Sequence, residues 1–245
     1  MTPPSQTDPR PEIQCFVPAY DEEALIVPTV TALAATLAGL TPRYEVVVVD
    51  DASTDATVER VRALNDPRVR VVTNATGPSF RENLGRAMAA GRADVLAFID
   101  ADLSPDPAGL AAVIRAVREG ADVAVGNRYA PGSVTVRTPA RWLASRLYNG
   151  AMRLALGSPF VDHQCGLKAF RRQALHALLA VMHAEPHPGR SWFWDVELLV
   201  RATWAGYRVV EVPIRWTYRK GGHFMAARQV RMLPSVMALW RERPR

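Results

Sequence analysis

Cysteine is almost missing, with 2 in 245 residues. Cys15 falls in an apolar run and Cys165 in the tripeptide QCG, so the chain has neither a disulfide framework nor a cysteine zinc cluster. No apolar run approaches the roughly 18 residues that a membrane-spanning helix needs. The opening residues MTPPSQTDPRPEIQ are polar and proline-rich and lack the apolar core of a secretory signal. Residues 1–11 are therefore expected to be a disordered lead-in, and the chain is expected to be cytoplasmic. There is no compact Lys/Arg run interleaved with aromatics, so nucleic acid is not an expected partner. Internal repeats and low-complexity segments are missing too. His183 and His187 have helical spacing, but Pro186 and Pro188 break a helix there, which removes them as a zinc pair.

What remains is a chain that can fold. With 49% hydrophobic and 22% charged residues it can bury a substantial core. The net charge of +6 conceals an asymmetry. Residues 1–130 carry 12 Lys and Arg against 18 Asp and Glu, a balance of −6, while residues 131–245 carry 18 against 6, a balance of +12. A cationic half of this size is either a solvated face or a surface for anions such as lipid headgroups.

The acidic half has a regular rhythm. Short β-rich runs, IQCFVPAY (13–20), YEVVVVD (44–50), VRVVT (69–73), DVLAFID (94–100) and ADVAVG (121–126), alternate with stretches of helical spacing. Strand, helix, strand at this spacing predicts an α/β fold whose central sheet is mostly parallel and flanked by helices. VVVV is apolar throughout, as suits a central strand covered on both faces. In such sheets ligands bind beyond the carboxyl ends of the strands, and these strands end in PAYDEE, DDASTD, DADLS and GNRY.

Each ending suggests chemistry. Asp100 and Asp102 are two residues apart at a strand end, so their carboxylates are expected on one side. Their mutual repulsion would be relieved by a hard divalent cation, Mg²⁺ or Mn²⁺. Ser104-Pro105 reads as a helix N-cap followed by proline. Ser53, Thr54 or Asp55 reads as a cap for the helix after DDASTD, leaving Asp50 and Asp51 as hydrogen-bond acceptors for a uracil or guanine edge. Tyr20 is available to stack on a base, and Asp21 or Glu22 is available to a ribose hydroxyl.

PAYDEE, DDASTD and DADLS, in this order, resemble the family-2 glycosyltransferases of the GT-A (Rossmann-like) fold. The resemblance continues through GNRY (126–129), DHQCGLKAFRR (162–172), WDVELL (194–199) and EVPIRW (211–216), which are similar to the polyprenyl-phosphate branch, the dolichyl-phosphate glucose and mannose synthases. It implies a metal-dependent, inverting transfer of a hexose from a nucleotide diphosphate sugar, UDP-glucose before GDP-mannose, to a polyprenyl (dolichyl or undecaprenyl) phosphate. By the same resemblance Pro18, Tyr20, Glu22 and Asp51 hold the nucleoside, with Asp50 supporting them. Asp100 and Asp102 serve the metal, Arg128 meets a phosphate, Gln164 lies near the sugar, and Asp195 contacts its hydroxyls. Ser104 stands where some relatives have a glutamine metal ligand. The glycine-lysine that many carry after the third strand is missing, with Arg81 or Arg86 as substitutes.

Two segments of the basic half suit a membrane interface. TPARWLASRLYNGAMRLALG (138–157) sets Leu143, Leu147, Ala151 and Leu154 on one stripe, flanked by Trp142, Tyr148, Arg141, Arg146 and Arg153. FMAARQVRMLPSVMALWRER (224–243) aligns Met225, Met232, Val236 and Leu239, with a kink expected at Pro234. The expected organisation is a glycosyltransferase domain over 12–220 followed by a C-terminal basic amphipathic helix over 221–245, peripheral on the inner face of the membrane. Arg219 and Lys220 fall in a glycine-bearing loop able to close over a phosphate. Two other functions compete: a transferase to a soluble or protein-linked hydroxyl, with Asp195 as base, and a non-catalytic membrane scaffold. A nucleotidyltransferase would open on a glycine-rich phosphate loop, which PAYDEE is not.

Overall fold

The computed structural model of the chain describes residues 10–74, 78–79, 81–184, 190–219 and 231–244. The five expected strands form as β1 (Ile13–Ala19), β2 (Tyr44–Asp50), β3 (Val69–Thr73), β4 (Val95–Ile99) and β5 (Val123–Asn127). Helices α1 (Ile26–Ala38), α2 (Thr57–Arg62), α3 (Arg81–Ala89) and α4 (Pro107–Arg118) connect them. The basic half adds β6 (Val134–Val136), α5 (Pro139–Leu156), β7 (Leu167–Arg171), α6 (Arg172–Ala184), α7 (Trp194–Trp204), β8 (Val209–Pro213), β9 (Arg215–Thr217) and α8 (Leu233–Arg241).

The main sheet runs β3-β2-β1-β4-β7-β5-β8, and β6 and β9 form a small parallel pair beside it. Every pairing in the main sheet is parallel except those of β7, which is antiparallel to both β4 and β5. This is the mostly parallel arrangement expected from the strand and helix rhythm, with LKAFR inserted against the grain between two parallel strands.

Alternation along the strands builds two cores. Cys15, Val17, Val46, Val48, Ala97 and Ile99 face α1 and α4. Phe16, Val47, Val49, Leu96, Phe98 and Phe170 face α3, α6 and α7. The period of two assigns Lys168 to the second face, beside Phe98 and Phe170, and it is fully buried there. A third cluster joins α5, α7 and α8 through Met152, Leu156, Val196, Val200, Met232, Val236 and Leu239.

Several local expectations are corrected. The N-cap of α4 is Asp106, which accepts from the Ala108 N–H at 2.7 Å, and Pro107 follows it; Ser104 and Pro105 lie upstream. The residue before α2 is Ala56, which makes no side-chain cap, while Asp55 accepts from Thr57 at the start of that helix. Pro234 stands in the first turn of α8, after a turn at Met232 that follows helical Arg231, and its missing N–H there disturbs no hydrogen bond; residues 221–230 of the expected helix lie outside the described residues. The stripe Met232, Val236 and Leu239 is buried against α5 and α7 rather than offered to lipid; Met225 lies outside the described residues. The outward face of α8 carries Leu233, Met237 and Trp240 instead. On α5 the expected stripe is exposed: Leu143 at 53%, Leu147 at 67% and Leu154 at 88%, while polar Asn149 is buried. That inversion of the usual pattern leaves an apolar face without a partner among the described residues. No described helix is long and apolar enough to cross a membrane.

Candidate active site

The loops after β1, β2 and β4 converge on one cleft of about 450 Å³, lined by Pro18, Tyr20, Glu22, Asp51, Asp100 and Asp102, together with Arg81, Asn83, Trp192 and Arg219. In each loop the residue directly after a lining side chain is left-handed without being glycine: Asp21 after Tyr20 (φ 52°), Ala52 after Asp51 (φ 67°) and Leu103 after Asp102 (φ 48°). Each such residue costs of order 1–2 kcal/mol. The same reversal aims three different side chains at one space.

The first two loops hold each other. The Asp21 N–H donates to Ser53 Oγ at 3.0 Å, and the Thr54 N–H donates back to Asp21 Oδ1 at 2.7 Å. The Glu22 N–H donates to Thr57 Oγ1 at 2.8 Å, and the Glu23 N–H to Asp55 Oδ2 at 3.0 Å. Asp21 is thereby engaged in the bonds that join the two loops, and both Asp21 and Glu22 line the cleft. Asp50 is buried and accepts from the Ser53 N–H at 3.1 Å, which braces the turn. Asp51 accepts from the Ser79 N–H at 3.0 Å and from Asn83 Nδ2. Tyr20 is half exposed over the same cleft.

At the other end stand Asp100 and Asp102. Ser104 donates its N–H to Asp102 Oδ1 at 2.8 Å and its hydroxyl to Oδ2 at 2.7 Å, which fixes the carboxylate. Asp100 Oδ1 accepts from Arg81 Nη2 at 2.9 Å. Burial raises the Asp100 carboxyl against the pull of Arg81, and the charges of Asp102 and Asp195 add to the rise. Glu22 is raised as well, by burial first and then by Asp102, Asp55 and Asp100. Carboxylates crowded on one cleft wall, with oxygen donors only, fit a hard divalent cation. Among the described residues no three acidic, histidine or cysteine side chains converge as a complete ligand set. Water and a bound anion would supply the other positions, as Mg²⁺ and Mn²⁺ sites commonly require.

Asp195 opens α7 but is buried, not an exposed helix start. Its Oδ1 accepts from Lys168 Nζ at 2.6 Å and its Oδ2 from Arg81 Nε at 3.1 Å. Burial pushes the Asp195 carboxyl up, but Lys168 and Arg81 outweigh that and hold it below its usual range. Arg128 is not among the cleft-lining residues; it forms a bidentate pair with buried Asp162 at 2.7 and 2.6 Å and lies 5.9 Å from the Tyr129 ring centre. Gln164 donates to Tyr148 Oη at 3.2 Å and to the Trp192 carbonyl at 3.4 Å, at the side of the cleft that Trp192 lines. Arg219 lines the cleft, and Lys220 lies outside the described residues.

Two residues were weakly marked in the sequence. Asn83, which grips Asp51, carried no signal beyond its helix. Of the two arginines offered as substitutes for the glycine-lysine, Arg81 enters the cleft, whereas Arg86 donates to Asn83 Oδ1 at 3.3 Å.

A family model described as glycosyl transferase family 2 matches residues 15–179, which include all three cleft loops. The chain belongs to glycosyltransferase family 2. Its relatives place it in the polyprenyl-phosphate branch. It is 39% identical over 210 residues to glycosyltransferase AglD of Haloferax volcanii, covering 84% of this chain but 33% of that protein. It is 31% identical over 250 residues to the polyprenol monophosphomannose synthase of Mycolicibacterium smegmatis, covering 97% of this chain and 89% of the relative. The undecaprenyl-phosphate mannosyltransferase of Micrococcus luteus is 32% identical, covering 84% of each chain. This family-2 chain thus spans about a third of AglD and most of the other two. Among solved structures, glucosyl-3-phosphoglycerate synthase from Mycobacterium tuberculosis, in complex with Mn²⁺, UDP-glucose and phosphoglyceric acid, superposes with a TM-score of 0.68 at 20% identity, over 96% of this chain and 81% of that one. At that identity the likeness is one of fold.

Proposed function

We propose that the protein transfers a hexose, with inversion at the anomeric carbon, from a nucleotide diphosphate sugar to polyprenyl phosphate. The observation that carries the reading is the single cleft in which Tyr20, Glu22 and Asp51 face Asp100, Asp102 and Arg219. Tyr20 and Asp51 take the base by stacking and by accepting its N–H, Glu22 takes the ribose, and Arg219 takes a phosphate. Asp100 and Asp102 are the residues that would hold a divalent cation, which when bound neutralises charge developing on the leaving diphosphate. A phosphate acceptor is already an anion at neutral pH, so attack on the anomeric carbon from the face opposite the diphosphate needs no general base. A hydroxyl acceptor needs one, and Asp195 is poorly suited to it, because both oxygens are bonded to cations and the carboxyl is held low.

The acceptor side is supported by a group of arginines stacked on aromatic rings. Arg137 and Arg146 lie 4.8 and 5.2 Å from the Tyr129 ring centre, and Arg141 lies 4.3 Å from that of Tyr218, the neighbour of cleft-lining Arg219. Arg137 Nε and Nη2 are buried without a hydrogen-bond partner among the described residues, a state that an arriving phosphate would relieve. Beside them the exposed faces of α5 and α8 offer Trp142, Leu143, Leu147, Leu154, Met237 and Trp240 to the lipid, so the protein is a peripheral one at an anionic membrane surface. The resemblance read in the sequence supports glucose as the sugar, and the names of two relatives support mannose.

The test is product analysis by mass spectrometry, with UDP- and GDP-hexoses, with and without polyprenyl phosphate, in Mg²⁺, Mn²⁺ or chelator. A polyprenyl-phosphate hexose made only with metal, and lost in Asp102→Asn, is the expected result and identifies the donor. Nucleotide-sugar binding without lipid product would turn the reading toward a hydroxyl acceptor. No nucleotide binding would leave the scaffold reading.

A further inference from the structure

Four ionisable side chains form a continuous line from the interior to the cleft wall. Lys168 Nζ bonds Asp195 Oδ1 at 2.6 Å, Asp195 Oδ2 accepts from Arg81 Nε at 3.1 Å, and Arg81 Nη2 bonds Asp100 Oδ1 at 2.9 Å. The far end is anchored to backbone, since Lys168 Nζ also donates to the Cys165 carbonyl at 2.8 Å. Both cations lie over the Phe98 ring, Arg81 at 4.9 Å and Lys168 at 5.4 Å from its centre. Lys168, Asp195 and Arg81 are 0%, 2% and 3% exposed, while Asp100 opens into the cleft. The charges in the line alternate in sign and sum to zero, so each buried ion is compensated by its neighbour.

We propose that this line is a positioning relay, in which Lys168 and Asp195 hold the Arg81 guanidinium and Arg81 sets the orientation of the Asp100 carboxylate toward the donor's metal and diphosphate. The relay rests on the donor-site reading above. It follows from geometry rather than from charge alone. Arg81 has a planar fork whose Nε and Nη2 are committed to two different carboxylates, so its plane cannot rotate without breaking one bond. Asp100 is confined on its other side by Gly166, where a Cβ would collide with the carboxylate. The Arg81 bond and the close approach to Gly166 together orient the carboxylate before any ligand arrives. The relay gives roles to two residues that are not among the cleft-lining side chains. Asp195 and Lys168 act through Arg81, and the lysine and glycine of QCGLKAF shape a carboxylate on a neighbouring strand.

Outer partners of this kind typically change metal affinity by roughly 10- to 100-fold when removed. The experiment measures Mn²⁺ binding to the full chain by electron paramagnetic resonance, with UDP and separately with GDP present. Nucleotide binding in chelator and thermal melting are measured alongside. Wild type is compared with Arg81→Gln, Arg81→Lys, Asp100→Asn and the paired variant Lys168→Met/Asp195→Asn, which removes one buried charge of each sign. The relay predicts that Mn²⁺ affinity falls by roughly 10- to 100-fold in Arg81→Gln and in the paired variant. Arg81→Lys, which keeps the charge but not the two-pronged geometry, falls in between. Nucleotide binding in chelator is read in each variant as the check that the cleft formed by Tyr20, Glu22 and Asp51 is still assembled. Wild-type Mn²⁺ affinity in Arg81→Gln or in Arg81→Lys, with loss in Asp100→Asn, would overturn the relay and leave the donor site standing. Should the paired variant not fold, the two Arg81 variants decide the question alone. No Mn²⁺ binding by wild type with either nucleotide would remove the metal site and the relay together.

Discussion

Gly166 and Asp100 touch across the β4–β7 ladder: the Asp100 N–H donates to the Gly166 carbonyl at 3.0 Å, and the Asp100 carboxylate covers the position a Gly166 side chain would occupy. The antiparallel insertion of β7 creates this contact, because it brings the start of LKAFR against the end of DVLAFID. Gly166→Ala is expected to displace the carboxylate while leaving both cores intact. Turnover with metal should fall at least about tenfold, in line with other disturbances of a ligand's support. Circular dichroism should be unchanged. Wild-type turnover in Gly166→Ala would mean that Asp100 does not have to stay where it is.

The buried pair of Arg128 and Asp162 predicts a stability effect rather than a binding effect. Asp162 is fully buried and takes three hydrogen bonds from Arg128, including one from its backbone N–H. Arg128→Met leaves an uncompensated buried carboxylate and should cost about 3–5 kcal/mol in urea unfolding, much of it recovered in Arg128→Met/Asp162→Leu. Unchanged stability with weakened phosphate binding would instead restore the direct phosphate contact expected from GNRY.

His163 makes stability depend on pH. Its ring is buried between Asn149 and Ser158, at 2.8 Å from each. Burial, with Lys168 and Arg153 adding and Asp162 opposing, lowers its pKa to about 4 from an ordinary 6.5. Between those values the unfolded chain binds the proton and the folded chain does not, so stability is lost as pH falls from 6.5 toward 4. The loss attributable to this residue is roughly 3 kcal/mol. Urea unfolding of wild type and His163→Gln across that window should show a smaller slope in the variant, and parallel curves would assign the pH dependence elsewhere.

The exposed stripe of α5 predicts a change in partition without a change in fold. Leu147→Asp and Leu154→Asp alter side chains that are 67% and 88% exposed, so stability should move by no more than about 0.5 kcal/mol. Sedimentation with anionic vesicles should fall sharply, and the effect of added salt should be strongest for the arginines on the same helix. Vesicle binding equal to wild type would mean that α5 does not meet lipid.

Much of the cleft could be read directly from the chain. PAYDEE, DDASTD and DADLS lie at strand ends, and a parallel sheet gathers its strand ends on one side, so order along the chain was enough to bring them together. The apolar stripe of α5 was readable as a stripe, because helical spacing is local, and the structure leaves it exposed. The matching stripe of α8 is not exposed: Met232, Val236 and Leu239 have the same periodicity, and only the neighbouring α5 and α7 decide that this face is buried. Asp195 and Arg128 were legible as chemistry and illegible as partners. Their partners lie 27 and 34 residues away or more, on strands and loops whose adjacency no spacing encodes.

By itself the sequence determined the alternating sheet, the two faces of every strand and the identity of the cleft loops, because period-two and period-3.6 patterns and strand-end order are properties of a chain read along its length. Only the tertiary structure decided which carboxylates face the cleft and which are neutralised within the protein. That choice depends on the antiparallel placement of β7, which carries Lys168 and Gly166 to the back of Asp195 and Asp100, where low dielectric makes each charge depend on the neighbour it meets.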